Sequence, residues 1–298
     1  MTEKINLPET LLAHAPWKED VDPIWPVSLF ILHRNIPRFF FPPKLNEGKA
    51  ELVFNQLKGA LLSTSLIEQP QLLRASDLSP IDKECLYEHY LCLESFQNTT
   101  QGQGFVIDGP GRLLAFLNIE DHLQIHFLDT KGEWENAFAR LSKIDTALGE
   151  QLGFAFSPKF GFLTADPTLC GTGFIALIYL HLPALIHTGQ LDEILIKHRV
   201  ETVVATSMEG AVEKMVGDLL LLKNAFTVGV SEEQILRTLH ESAIRLSALE
   251  KSAREKLKAE PSPSVKDEVS RAYGLLLHSY QLQTREALNA LSLLKLGV

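Results

Sequence analysis

The sequence predicts an α+β fold, with helices packed on an antiparallel-rich sheet. Three observations lead there. Strand-like stretches come in one run between Gly104 and Val228, with helical periodicity before and after it. Glu133–Leu152 places Trp134, Phe138, Leu141, Ile144, Leu148 and Leu152 on one helix face. Leu219–Leu222 is apolar without interruption, as a strand buried on both faces is.

Taken in order, residues 1–20 read as an extension with one short helix, Pro8–His14, stopped at Pro16-Trp17. Residues 21–43 read as irregular, punctuated by Pro23, Pro26, Pro37, Pro42 and Pro43, with the apolar stretch Val27–Leu32 inside them. Helical spacing from Asn46 to Leu62 puts Leu52, Val53, Leu57, Leu61 and Leu62 inward, and a second helix is expected over Ile81–Leu93. Gly104–Ile107, the turn Asp108-Gly109-Pro110-Gly111 and Arg112–Leu117 read as a hairpin, with a third strand over His122–Phe127. Beyond Phe174–Leu182, a β-rich run stopped by Pro183, a helix is expected over Pro183–Lys197 and strands over Glu201–Thr206 and within Val216–Val228. Ser231 and Gln234 have the spacing of a capping box and open a helix to Lys258, with Leu236, Leu239, Ala243, Leu246 and Leu249 inward. Pro261-Ser262-Pro263-Ser264 reads as a linker before two helices, Val265–Tyr280 and Arg285–Leu294. The expected organisation is an extension (1–20), a main domain (21–258) split into a mostly helical sublobe (21–95) and a sheet lobe (96–258), and a C-terminal helical segment (259–298).

Composition narrows the function classes. With 298 residues and 45% apolar content the chain can bury a large core. A net charge of −9 without a basic patch argues against nucleic acid as a partner. The longest apolar run, Phe174–Ile186, is broken by His181 and Pro183 and is too short to span a bilayer, so no membrane association is expected. Cys85, Cys92 and Cys170 have no metal-like spacing, and the odd count together with an acidic N-terminus lacking an apolar core predicts reduced thiols in the cytoplasm. His122, Gln124 and His126 share one strand face, but two histidines without a carboxylate do not make a metal site, and none is expected.

The stretch Gly161–Ile186 is the organising one. A short strand leads to Asp166-Pro167-Thr168, Gly171-Thr172-Gly173 closes the turn, and a buried strand follows. It resembles the active-site signature of the guanidino kinases, L-T-x-C-P-T-N-x-G-T followed by a hydrophobic residue and Arg. It is most similar to the version in bacterial protein-arginine kinases, which runs on to H-L-P-A-L. Leu163, Thr164, Pro167, Thr168, Gly171, Thr172, Gly173, Ala176 and His181–Leu185 fit; Asp166 stands for the cysteine and Ile175 for the arginine. The resemblance extends over roughly residues 24–298. It implies a large antiparallel-rich sheet flanked by helices, of the guanidino-kinase and glutamine-synthetase-like type, behind a small helical N-terminal sublobe. It also implies transfer of the γ-phosphoryl group of Mg-ATP to a guanidinium.

Carried over position by position, the resemblance becomes uneven. The family's S-S-R-I-R-L-A-R-N falls on Val27-Ser28-Leu29-Phe30-Ile31-Leu32-His33-Arg34-Asn35. Its nucleotide-binding positions are therefore Val27, Ser28, Leu29, Phe30 and Ile31, with Leu29 and Ile31 in place of phosphate arginines. The kept Arg34-Asn35 pair is expected to be structural. N-E-E-D-H-L-R falls on Asn118–Gln124. The guanidinium carboxylate is kept as Glu120, its partner carboxylate is Ile119, and a phosphate arginine has become Gln124. A further nucleotide arginine is expected near Thr206, and Val203–Gly210 contains none. Asp166 with Glu120 could form a carboxylate pair suited to a guanidinium or a divalent ion. The family continues past Val298 into a segment with a phosphoarginine pocket, which the resemblance implies is absent from this chain.

Each arginine–phosphate contact is worth roughly 1.5–3 kcal/mol. Losing three removes on the order of 5 kcal/mol, against about 8 kcal/mol for a micromolar nucleotide site. The expected function is a catalytically degenerate, protein-arginine-kinase-like binding or regulatory module without a nucleotide cofactor, whose partner is a protein engaged through an arginine side chain at Glu120. Two alternatives stand beside it. One is an active kinase using Mg-ATP, with Arg34, Arg38, Arg112 and Lys159 as replacement cations; the other is a structural subunit of a larger assembly.

Overall fold

The computed structural model describes residues 7–8, 11, 21–92, 96–99, 101–208, 210–212, 215–260 and 262–297. Most of the helix expected over Pro8–His14 lies outside them. The chain divides into two compact units: Met1–Val21, Ser28–Ala176 and Phe226–Glu232 form the first, and Asp22–Val27, Leu177–Ala225 and Glu233–Val298 the second.

The sheet of the first unit has β1 (Val27–Arg34), β2 (Gln71–Arg74), β3 (Gly104–Ile107), β4 (Leu113–Leu117) and β5 (Leu123–Asp129), in the order β2-β3-β4-β5-β1. Every neighbouring pair is antiparallel, with Ile31 opposite His126 and His33 opposite Gln124. The sequence reading took the stretch holding β1 as irregular and that holding β2 as mostly helical. Seven of the eight residues of β1 are buried, so it lacks the polar alternation that betrays a strand, and prolines flank it on both sides.

The helices of this unit are α1 (Glu47–Ser63), α2 (Pro80–His89) and α3 (Trp134–Leu152). The Asn46 side chain caps α1 by accepting from the Lys49 amide, and Ser79 with Asp82 forms a capping box on α2. On α1 the inward residues are Val53, Phe54, Leu57, Ala60 and Leu61, while Leu52 and Leu62 face solvent. The α3 helix buries Trp134, Ala137, Leu141, Ile144 and Leu148, and the Trp134 ring meets Phe30 of β1 at 4.7 Å. A short hairpin, β6 (Phe156–Ser157) and β7 (Gly161–Phe162), precedes the signature loop.

In the second unit β8 (Phe174–His181, entering from the first unit), β10 (Leu219–Asn224) and β9 (Val203–Thr206) run side by side, antiparallel. The helix expected over Pro183–Lys197 is two, α4 (Pro183–His187) and α5 (Leu191–Lys197), parted at Gly189, whose φ is +70°. The long α6 (Glu232–Ala259) precedes α7 (Pro263–His278) and α8 (Thr284–Gly297). Its buried stripe is Ile235, Leu239, Ala243, Leu246, Glu250 and Ala253, with Leu236 and Leu249 half-buried at its margin. The buried Glu250 carboxylate accepts from the Ala184 and Leu185 amides at 3.0 and 2.9 Å and pairs with Arg254 at 2.7 Å. It thus satisfies the free N–H groups that open α4.

Histidines tie the C-terminal helices down. His181 Nε2 donates to Ser292 Oγ of α8 at 2.7 Å, and Ser292 donates to Asp218. His187 lies between Asp218, 3.3 Å away, and Glu268 of α7, 2.7 Å away. Burial, with Arg254 and Lys295 nearby, holds His181 down at about 4, whereas Asp218 and then Glu268 raise His187. The two have opposite signs in pH-dependent stability. The contribution of His181 is complete above the unfolded value of about 6.5 and is lost as pH falls toward 4. That of His187 is complete below about 6.5 and is lost as pH rises through its folded value. Urea midpoints measured from pH 7.5 to 4.5 should therefore fall on the acid side less steeply in His181→Asn than in the wild type. In His187→Asn they should fall more steeply.

Candidate functional site

The residues that matched a signature in the sequence meet in the first unit, and Asp121 joins them. This carboxylate is 2% exposed. One oxygen accepts from His33 Nδ1 at 2.9 Å; the other accepts from Asn35 Nδ2 and from the Ala165 amide at 2.7 Å. The end of β1, the loop before β5 and the signature loop are thereby fastened to one group. Asn35 also donates to the Leu163 carbonyl and accepts from the His122 amide, both at 2.9 Å.

The loop before β5 is held at its start too. Asn118, at φ +56°, donates to the carbonyls of Ala50 and Gly102. At its end the His122 ring accepts from the Ile36 amide at 3.0 Å and donates to the Phe40 carbonyl at 2.9 Å. Both ring nitrogens are thus engaged by backbone, and burial lowers the pKa, which accounts for this histidine structurally. Between these anchors, Ile119 and Glu120 line a cavity.

Arg34 is the other fixed point, and it is fully buried. It pairs bidentately with Asp145 of α3 at 2.9 and 2.7 Å, and donates to the carbonyls of His33 and Thr172 at 2.9 and 2.8 Å. Its guanidinium lies 3.7 Å from the centre of the Phe162 ring. Arg34 is thus structural, as the sequence reading expected. Gly173 makes this close approach possible. At φ +57° a Cβ there would fall 2.7 Å from the His33 carbonyl oxygen and 2.9 Å from the Arg34 guanidinium. Gly171, at φ +102°, sits so close to the Thr227 carbonyl that a Cβ would lie 2.1 Å from its oxygen.

In the signature loop Thr164 Oγ1 donates to the Asp166 carbonyl at 2.7 Å. The Asp166 carboxylate caps the turn Pro167–Leu169, accepting from the amide and hydroxyl of Thr168, both at 2.8 Å, and these bonds lower its pKa. The residue standing where the family has cysteine therefore has a local task. Thr172 donates its amide to the Thr227 carbonyl at 2.9 Å, and Thr227 Oγ1 donates to the carbonyls of Thr168 and Cys170.

The cavity holds about 100 Å³ and is lined by Ile31 and His33 of β1, Phe116 of β4, Gln124 and His126 of β5, and Ile175 of β8. Cys92, Phe96, Ile119, Glu120 and Leu169 complete it. His126 is buried and held down at about 3, by burial first and then by His33, so it is neutral. Gln124 Nε2 lies 2.8 Å from its Nε2, and its Nδ1 has no partner.

Ile31, Glu120, Gln124 and Ile175 are thus brought together. Leu29 is fully buried and shares the face of Ile31 by strand alternation. Ser28 and Phe30 take the other face, where Phe30 packs on Trp134 and Phe138 of α3. Val27 opens β1, and Thr206 closes β9 in the second unit. His33 was missed as a cavity residue and His126 was weighed only as a metal ligand. Counting in twos from Ile31 places His33 on the cavity face.

Comparison with known proteins gives a consistent picture. The family model described as ATP:guanido phosphotransferase, C-terminal catalytic domain, matches residues 53–253, and that of the protein-arginine kinase McsB C-terminal domain matches residues 262–298. The protein-arginine kinase of Chlamydia muridarum is 36% identical over 280 residues, covering 92% of this chain and 76% of its own. That of Chlamydia pneumoniae is 34% identical, covering 100% and 82%. Among solved structures, the duplicated taurocyamine kinase of Schistosoma mansoni with bound transition state analog components superposes with a TM-score of 0.70 at 21% identity. The match covers 84% of this chain and 37% of that one. A lombricine kinase superposes with a TM-score of 0.67 at 20% identity, covering 80% and 68%. These structures show the likeness of fold, a large antiparallel sheet flanked by helices.

The buried bonds of Asp121 carry a stability prediction. Asp121→Ala strands three donors and should lower unfolding free energy by about 2–4 kcal/mol in urea denaturation. Asp166→Ala, at an exposed cap, should cost only about 0.5–2 kcal/mol.

Proposed function

The chain belongs to the protein-arginine kinase group of the ATP:guanido phosphotransferase family, and on that premise we propose that it has kept the fold, lost phosphoryl transfer, and binds an arginine side chain of a partner protein through Glu120. One observation carries the reading: among the described residues lining the cavity there is no lysine or arginine. Where the resemblance places phosphate arginines the lining offers Ile31, Ile175 and Gln124, with the neutral His126 beside them.

Mg-ATP is the cofactor that the family implies, and the lining does not fit its triphosphate. Packing phosphate oxygens against aliphatic side chains removes their hydration without supplying donors. The candidate replacement cations do not mend this. Arg34 spends its charge on Asp145. Arg112 sits by the β3–β4 turn, where its charge acts on Asp108 and Asp129. Lys159 lies over the Phe160 ring in the β6–β7 turn, and Arg38 is exposed beyond the end of β1. None of the four lines the cavity.

A guanidinium on a hydrocarbon stem suits the remaining surface better. The Glu120 carboxylate offers it a charge-assisted, planar acceptor. Ile31, Ile119, Leu169 and Ile175 can cover the methylenes, and Gln124 and His126 add neutral hydrogen-bonding atoms. The bound side chain would meet no phosphoryl donor.

Titration calorimetry tests both halves. Mg-ATP should give no binding heat up to several millimolar, and an arginine-containing peptide should bind saturably. Glu120→Gln should weaken the peptide roughly tenfold or more. A micromolar Mg-ATP constant, or acid-labile phosphate appearing on a protein substrate, would instead establish the active kinase. Peptide affinity unchanged in Glu120→Gln would remove the role given to that carboxylate.

A further inference from the structure

The second unit contains a cavity of its own, far larger than the one at Glu120. It measures about 390 Å³, within the range of about 300–1,000 Å³ typical of small-molecule sites. Its walls are hydrocarbon: Ile194 and Leu195 of α5, Val203 and Ala205 of β9, Leu222 of β10 and Leu246 of α6. Its charged members are Arg199, Arg245 and Glu201, and His198 also lines it.

The two guanidiniums are not spent on carboxylates. Among the described residues, the side-chain partner of Arg245 is His198 Nδ1 at the limiting distance of 3.5 Å, and neither arginine makes an ion pair. Two other arginines of this unit do pair with carboxylates: Arg254 with Glu250 and Arg271 with Asp267, each at 2.7 Å. In a chain of net charge −9, two arginines against the single acid Glu201 at an apolar hollow leave a local excess of positive charge that favours an anion. The hollow selects hydrocarbon. A bare phosphate would use the arginines and leave the walls wet, and a neutral lipid would use the walls and leave the arginines unused.

We propose that this cavity binds a lipophilic carboxylate, its chain against Ile194, Ala205, Leu222 and Leu246 and its head group at Arg199 and Arg245. Arg199 and Arg245 are both exposed, so the head group would sit at the solvent side, where a planar carboxylate can meet a guanidinium fork. This site is independent of Glu120, and nothing in the proposal requires the arginine-binding function.

The test is calorimetric titration of the full chain with octanoate, octanol and inorganic phosphate. Saturable octanoate binding is expected, with octanol and phosphate each roughly tenfold weaker or worse. The Arg199→Gln/Arg245→Gln double variant should lose octanoate affinity roughly tenfold or more while leaving octanol unchanged. Ala205→Leu, which fills the hollow, should abolish both. If that variant fails to fold, the arginine pair, being at the surface, still decides. No saturable octanoate binding, equal affinity for octanol, equal affinity for phosphate, or an unchanged double variant would each overturn the proposal. In those cases the arginines merely drape their stems over apolar surface.

Discussion

The buried carboxylate of Asp121 is the constraint on which the site depends. A carboxylate taken out of water is tolerated only with donors on its oxygens, and here the donors come from His33, Asn35 and Ala165. Those donors lie on two of the segments that matched a signature in the sequence, and Asp121 lies on the third. Desolvation cost therefore enforces their meeting: none of the three can drift away without leaving a charge short of partners. The cavity is the space left between segments so fastened.

The β1 strand then separates structure from ligand. Its helix-facing side keeps Phe30 against Trp134 and Arg34 on Asp145. Its other side presents Ile31 and His33 to the cavity. Strand alternation lets one side change while the other stays. The arginine retained is the one whose loss would unpair Asp145 inside the protein. The positions that the resemblance gives to phosphate arginines, and that are aliphatic here, are those whose partner would have come from outside. The pattern follows if selection has acted on folding and on a guanidinium partner rather than on phosphate.

Much of this was legible beforehand where a period repeats long enough to count. The α3 helix, the β3–β4 hairpin and the apolar β10 each show their pattern over several residues. The strand β1 did not, because burial on both faces removes the alternation. The split between α4 and α5 hung on the single Gly189 in an otherwise helical stretch. Arg34 was readable as structural because its neighbours in the motif had changed while it had not. The role of Asp166 was not, since an aspartate before Pro167-Thr168 can serve a ligand or its own turn, and only the geometry shows the bond to Thr168. Glu250 was missed for a similar reason. A glutamate on the inward stripe of a helix breaks the apolar rule unless one knows that the opening turn of α4 lies against it.

The approach of Gly171 to Thr227 has a consequence for the order in which the molecule forms. The bonds that shape the cavity join residues far apart in the chain: 111 positions for Arg34 with Asp145, 44 for Ala165 with Asp121, and 55 for Thr172 with Thr227. Closing such loops costs chain entropy before any bond repays it, and contacts of long sequence separation slow folding. The helices and the β3–β4 hairpin need no such closure. A nascent or partly folded chain would thus present its helices and local hairpin long before it presents a binding surface. The proposed recognition at Glu120 is confined to molecules whose folding is complete.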